Sequence, residues 1–218
     1  MKILKKCRTP SGKKSSSLEL LLTMLALALG CALGILSKWL DELTITEGMV
    51  FEDLLEILDL RNVFSRISVW ALAALIISVR SRTPLRASVN TMMFLGGMII
   101  GYYGYTIIFS GFFPAYYMAV WSVLAVLSSI PAYFSWYSKG TGTFSIVMSA
   151  FILGFFASQA FYFGRWYFGL HEWDSVICFF AAAAVLYSKP KPFLLSLVGA
   201  CIAAPVIDWL TPYIFGGL

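Results

Sequence analysis

The sequence predicts an all-α bundle of about seven transmembrane helices, with one acidic amphipathic helix on the outer side. Three observations predict it. Hydrophobic residues make up 60% of the 218-residue chain and charged residues only 12%, about half the charge of a typical soluble protein. A soluble fold of this size would lack the charge to cover its surface. The apolar residues fall in runs, most of them long enough to cross about 30 Å of hydrocarbon at about 1.5 Å per helical residue. Most basic residues sit between those runs, which is the positive-inside arrangement. That placement excludes nucleic-acid binding as the reason for the net charge of +5.

Residues 1–17 carry Lys2, Lys5, Lys6, Arg8, Lys13 and Lys14 among serines, with Pro10 and Gly12. They read as a flexible basic cytoplasmic tail. Residues 18–218 read as a single transmembrane domain. Its first run, 18–40, is longer than a signal-peptide core and stays apolar past Cys31, so it is expected to be retained as a span. Residues 41–62 hold seven of the chain's eleven acids. There Phe51, Leu54, Leu55 and Leu58 form one stripe and Glu52, Asp53, Glu56 and Asp59 another, the spacing of a short amphipathic helix. An acidic helix gains nothing from an anionic lipid surface. It is expected either to lie at the interface with its acids in solvent, or to cover the outer mouth of the bundle with Arg66 and Arg165 as partners.

Six further runs follow at about 63–79, 87–109, 115–136, 143–163, 175–187 and 193–210. The gaps carry turn chemistry: Arg80 to Arg86 around Pro84, Ser110 to Pro114, Ser138 to Gly142, and Lys189-Pro190-Lys191-Pro192, which cannot continue a helix. The run 175–187 is short and is expected either to borrow its outer turn from 170–174 or to be re-entrant. With the N-terminus inside, twelve of the sixteen basic residues fall on inner segments. Lys38, Arg61, Arg66 and Arg165 fall outside, and Glu19 is the one acid inside. Seven spans place the C-terminus outside.

Candidate chemistry is sparse, and the sequence predicts no enzyme. It has no metal-ligand spacing, nucleophile motif, P-loop or cofactor motif, so no cofactor is expected. The single histidine, His171, lies beside Glu172 and Asp174 in a loop that reads as hydrated surface. Glu19, Lys38, Arg66 and Asp208 lie near span ends, whereas ion-coupled transporters place ionisable groups near mid-membrane. Asn90 and Gln159 are expected to pair with neighbouring helices. Ala26, Gly30 and Gly34 recur every four residues, as do Gly97 and Gly101, with Gly104 and Asn90 on roughly the same face. Such faces allow close helix packing, or docking of a membrane partner or a second copy. Aromatic residues crowd the outer half. They read as an interfacial belt with packing or, with Glu172 and Asp208, as a pocket for a cationic or ring-bearing ligand, with Trp121, Trp166, Glu172, Trp173 and Asp208 as its candidate residues.

Ser81-Arg82-Thr83-Pro84-Leu85-Arg86-Ala87, followed by Gly97-Met98-Ile99-Ile100-Gly101-Tyr102-Tyr103, resembles a family of small bacterial multi-spanning proteins described only as a domain of unknown function. Its members carry an S-R-[ST]-P-x-R-A loop before a G-x-x-x-G-Y-Y span. The resemblance covers about 25 residues and implies a bacterial cytoplasmic membrane, without an activity. The Ala26–Gly30–Gly34 stripe and the outer aromatics are also similar to the substrate-binding subunits of energy-coupling-factor transporters. Those subunits have six spans, both termini inside, and a small-residue stripe that meets an energising subunit. The expected function is therefore a structural or partner-interacting membrane protein. The alternative is a substrate-binding or transport subunit with an outer-facing aromatic pocket for a small organic ligand.

Overall fold

The computed structural model describes residues 7–10, 16–43, 60–163 and 167–215. In chain order the helices are α1 (Ser16–Asp41), α2 (Leu60–Val63), α3 (Ile67–Arg80), α4 (Pro84–Tyr105), α5 (Ala115–Leu127), α6 (Ser129–Ser135), α7 (Thr143–Ala160), α8 (Trp173–Leu186) and α9 (Pro190–Phe215). The chain is a helical membrane protein. Five helical stretches are long and apolar enough to cross a bilayer: α1, α4 with its extension to Ser110, α5 and α6 taken together to Lys139, α7, and α9. The apolar α3 and α8 have 14 residues each, about 21 Å of helix against about 30 Å of hydrocarbon.

Local chemistry sets the boundaries. Thr83 caps α4 by accepting from the Arg86 amide at 3.1 Å, and Pro84 takes the first helical position, where its missing N–H costs nothing. The helix therefore starts three residues before the expected 87. Past Tyr105 it widens into one π-turn, Thr106–Ser110, which stops at left-handed Gly111 (φ 64°) and Pro114. Pro131 offers no N–H to the Leu127 carbonyl, and the helix breaks there into α5 and α6. The run expected to end at 163 leaves the helix after Ala160. Phe161–Phe163 pairs antiparallel with Phe168–Leu170, and Phe161 faces Leu170. Helix α8 starts before 175, at Trp173. The amphipathic segment 51–59 lies outside the described residues.

Two three-helix units emerge. In the first, α1 and α4 run parallel in close contact. The Thr23 hydroxyl meets Asn90, Gly97 lies over the Leu27 carbonyl, and Gly101 over that of Cys31. In the second, α7 and α9 run parallel in the same way, with the Ile146 carbonyl at Ser196, Ala150 at Gly199 and Gly154 at Ala203. Each pair is connected through a 14-residue helix, a three-residue turn and a proline. Positions in the second unit lie 106 residues after their counterparts: Ile67 and Trp173, Arg80 and Leu186, Pro84 and Pro190. The contacts keep that register. A Cβ on Gly30 would meet the Phe94 carbonyl and the Met98 amide; one on Gly154 would approach the Ala200 carbonyl and the Ala204 amide. The short helices break the symmetry, since α3 packs on α4 while α8 packs on α7.

The short helices also join the units. Ser68 and Ser175 share a hydrogen bond of 3.0 Å, and Arg66 pairs with Asp174 at 3.1 Å. Below them Leu75 and Val79 share a core with Leu153, Phe156, Cys178 and Leu186. The basic turns gather at the opposite end. Arg8 donates to the carbonyls of Trp136 and Val79 and lies over the Trp136 ring. The Thr141 amide donates to the Cys7 carbonyl, and Lys139 to those of Val185 and Tyr187. Cys7 and Arg8, within the stretch 1–17 read as a flexible tail, are thus held against the bundle.

Candidate functional site

The small-residue faces predicted to pack or dock are occupied by each other. A Cβ on Gly30, Gly34, Gly97 or Gly101 would fall 2.0–2.3 Å from a main-chain oxygen of the partner helix, so the two backbones touch where the side chains are missing. Ala26 is buried in the same α1 stripe. Asn90 accepts from Thr23 at 2.7 Å and donates to Ser81 at 3.2 Å, joining α1 and α4 to the end of α3. Gly104 stands apart, with open space at its Cβ position. Gln159 departs from expectation: its amide reaches Ser158 of its own helix, at 3.4 Å, rather than a neighbour.

A cavity of about 890 Å³ lies between the units, bounded by α3 and α4 on one side, α7 on another, and α5 with α6 across the front. Its walls follow from the kink and from sparse packing. α5 leans on α4 and makes little contact with α7, so Trp121 and Leu124 stand off from Phe151 and Phe155, and the gap between them stays open. Eleven aromatic side chains line it, among them Trp70, Tyr102, Tyr103, Tyr117, Trp121 and Phe156. Its charged lining residues among those described are Lys38 and Asp41, both at the C-terminal end of α1. Toward the basic end the lining is Ser78, Ser128, Pro131 and Ser135. Ser78 is satisfied there by the Ala132 carbonyl at 2.7 Å.

The mouth is polar and organised. The Tyr102 hydroxyl donates to Asp41 at 2.9 Å, and the Lys38 ammonium lies 5.6 Å from the centre of the Tyr102 ring. Lys38 also pairs with Glu42 at 3.2 Å. The Ser110 hydroxyl, then Lys38, hold the Glu42 carboxyl below its ordinary pKa. Deeper in, Thr91 lines the cavity, is almost fully buried, and has a hydroxyl with no hydrogen-bond partner. A buried polar group without a partner is uncommon and costly. An occupant of the cavity with an acceptor or donor would satisfy it.

Of the five predicted ligand residues, Trp121 lines the cavity, Trp166 lies outside the described residues, and Glu172, Trp173 and Asp208 are placed elsewhere. Glu172 and Asp174 pair with Arg66, at 3.5 and 3.1 Å. Trp173 opens α8 and Asp208 sits on α9. His171 is more enclosed than a hydrated loop implies: its ring lies 3.4 Å from that of Tyr162, centre to centre. Burial draws its imidazole below the ordinary pKa, with Asp208 opposing and Arg66 adding to the shift. Among the described residues, no three His, Cys, Asp or Glu side chains converge as metal ligands. Sequence reasoning missed Thr91, Lys38, Asp41 and Tyr102. The usable signal was the Lys38–Asp41 pair at the outer end of a span whose one other charge, Glu19, lies in its first turn, matched to Tyr102 at the outer end of another.

Fold and site together define a polytopic helical membrane protein with two related three-helix units and an aromatic-walled cavity between them. No protein-family model, curated protein or solved structure matches the chain.

Proposed function

We propose that this protein is a seven-span bacterial cytoplasmic-membrane protein, N-terminus inside, that binds and conveys a small, largely apolar organic molecule entering from the outer side. The observation that carries this reading is the cavity of about 890 Å³ at the interface of the two units. Its volume is in the range of small-molecule sites. In transporters built from parallel repeats, substrate sites lie at the repeat interface. Aromatic walls and charges confined to the mouth suit an uncharged ring-bearing body with one polar end. The outer-facing site and uncharged mid-membrane are shared with the substrate-binding subunits named above. The glycine stripe of α1 is not available as it would be there, because α4 covers it. This cover also weighs against a purely partner-docking role.

The test is native mass spectrometry of the full-length protein in mild detergent, beside the variant Ala74→Phe, which places a ring in the cavity from α3. A bound organic molecule on the wild type that is lost from the variant, with melting temperature maintained, is the expected result. A wild type that carries no organic molecule, or a variant that retains it fully, removes the reading.

The orientation rests on the gathering of residues 7–10, 80–86, 138–142 and 187–189 at one end. Arg82→Cys and Ser188→Cys, each in a background without the native cysteines, should resist impermeant thiol reagents added to intact cells. Labelling of either from outside would overturn the seven-span arrangement.

A further inference from the structure

A second cleft, independent of the cavity above, opens at the basic end of the first unit. It holds about 720 Å³ between α1 and α3, with α4 as its floor. It exists because α1 and α3 both pack on α4 and make little contact with each other. Its chemistry is divided along its length. Arg8, Arg80, Arg82 and Arg86 stand around the end nearest the basic turns, with Glu19 as the one acid among the described lining residues. Glu19 is taken by Arg86 at 2.8 Å, and Arg8 is held by the neutral carbonyls of Trp136 and Val79. Among the described lining residues the arginines outnumber the acids by three, around a groove that α1 walls, further along, with Leu22, Leu25 and Leu29. Those leucines are roughly half exposed and carry the groove about 10 Å along the helix.

We infer that this cleft is a binding site for an anionic phospholipid from the leaflet at the basic end, with the phosphate among the arginines and an acyl chain along the leucines of α1. Three features lead to that occupant. The net charge selects an anion, and guanidinium groups match phosphate oxygens in pairs. The adjoining apolar wall selects an anion with a hydrocarbon chain over free phosphate. The position, between membrane helices at the end that collects the basic turns, is where anionic headgroups are concentrated when that end is cytoplasmic. A docked residue 8 adds one point. Arg8 is brought from outside the spans to complete the ring of charge, so the N-terminal strand and the lipid would hold each other at this face.

The experiment uses the full-length protein in micelles, titrated with dioleoylphosphatidylglycerol or dioleoylphosphatidylcholine and read by native mass spectrometry. The phosphatidylglycerol adduct should dominate. Arg80→Gln with Arg82→Gln should weaken it by about fivefold per arginine removed. Lys189→Gln with Lys191→Gln, at the same end but on the second unit, should leave it within about twofold. Melting without added lipid checks that each variant is folded. Equal retention of the two lipids, equal losses from both variant pairs, or competition by millimolar inorganic phosphate as strong as by lipid would each overturn the inference. Should Arg80→Gln with Arg82→Gln prove unstable, Leu25→Asp, which charges the acyl wall while leaving the arginines in place, must lower phosphatidylglycerol retention by a comparable factor.

Discussion

The contact between α1 and α4 and that between α7 and α9 keep one register, 106 residues apart in the second helix of each pair, but they are made of different atoms. In the first, glycines on both helices let main chain meet main chain, with Gly30 against the Phe94 carbonyl and Gly97 against that of Leu27. In the second, a layer of methyl groups intervenes: Gly154 meets the Ala203 Cβ, and Gly199 the Ala150 Cβ. Lipid tails are as apolar as the helices, so association depends on how closely the backbones pack and on hydrogen bonds between them. The first pair has no side-chain layer left to adjust. In the second, each glycine meets the methyl of an alanine, which has no rotamer to adjust, so that contact also yields only by backbone movement, but it is less deep. The cavity lies on the boundary between the two units.

The largest expected effect tests that distinction directly. Gly30→Ala or Gly101→Ala sets a methyl 2.0–2.2 Å from a carbonyl oxygen, a contact that only separation of the helices relieves. The cost should reach the upper end for overpacked sites, about 3 kcal/mol. Gly154→Ala should cost less, about 2 kcal/mol, because its new methyl meets the Ala203 Cβ at 2.7 Å, a shallower overlap than that with a carbonyl oxygen. Moving that methyl with Gly154→Ala/Ala203→Gly should recover most of the loss, whereas a main-chain carbonyl permits no such exchange. Thermal melting of the full-length variants in detergent measures all of these. Equal losses for Gly30→Ala and Gly154→Ala, or no recovery in the double variant, would mean that the two contacts do not differ in kind.

Much of the architecture was legible because the bilayer reduces the problem to runs and breaks. Pro84, Pro114 and Pro190 mark where helices restart, and the lengths of apolar stretches between them predict the helices found. The spacing of Gly97 and Gly101 announced a close contact, though not that its partner would be Gly30 and Gly34 of the same chain. Periodicity says which face is small and nothing about what covers it. The repeat was harder to see. Beyond Pro84 with Pro190 and Val79 with Val185, most of its equivalences join unlike residues, such as Gly97 with Ala203 and Phe94 with Ala200, which share a backbone position and not a side-chain type. The cavity was partly legible through Trp121. Its other predicted residues were chosen for charge near aromatics, and Glu172 is engaged by Arg66.

Hydrogen bonding offers a second, smaller way to sharpen the contrast between the units. In the first, Asn90 accepts from Thr23 at 2.7 Å and donates to Ser81 at 3.2 Å. In the second, the Ser196 hydroxyl has one hydrogen to divide between the Ile146 carbonyl of α7, at 3.2 Å, and the Pro192 carbonyl of its own helix, at 3.0 Å. Removing Asn90 leaves its partners provided for, since Thr23 also reaches the Glu19 carbonyl and Ser81 that of Ile77. Asn90→Leu should therefore lose the interhelical bonds without orphaning a buried group, at a cost of about 1 kcal/mol. Ser196→Ala should cost less, about 0.5 kcal/mol or under, because it removes a single interhelical bond whose one hydrogen is already shared with the Pro192 carbonyl, whereas Asn90 makes two bonds to other helices. A double-mutant cycle of Thr23→Val with Asn90→Leu isolates the bond that matters, and its coupling should fall near 1 kcal/mol. A coupling of zero would assign the rigidity of the first unit to its glycines alone. One that exceeds the Gly30→Ala loss would make Asn90, and not the backbone contact, the main fastening between α1 and α4.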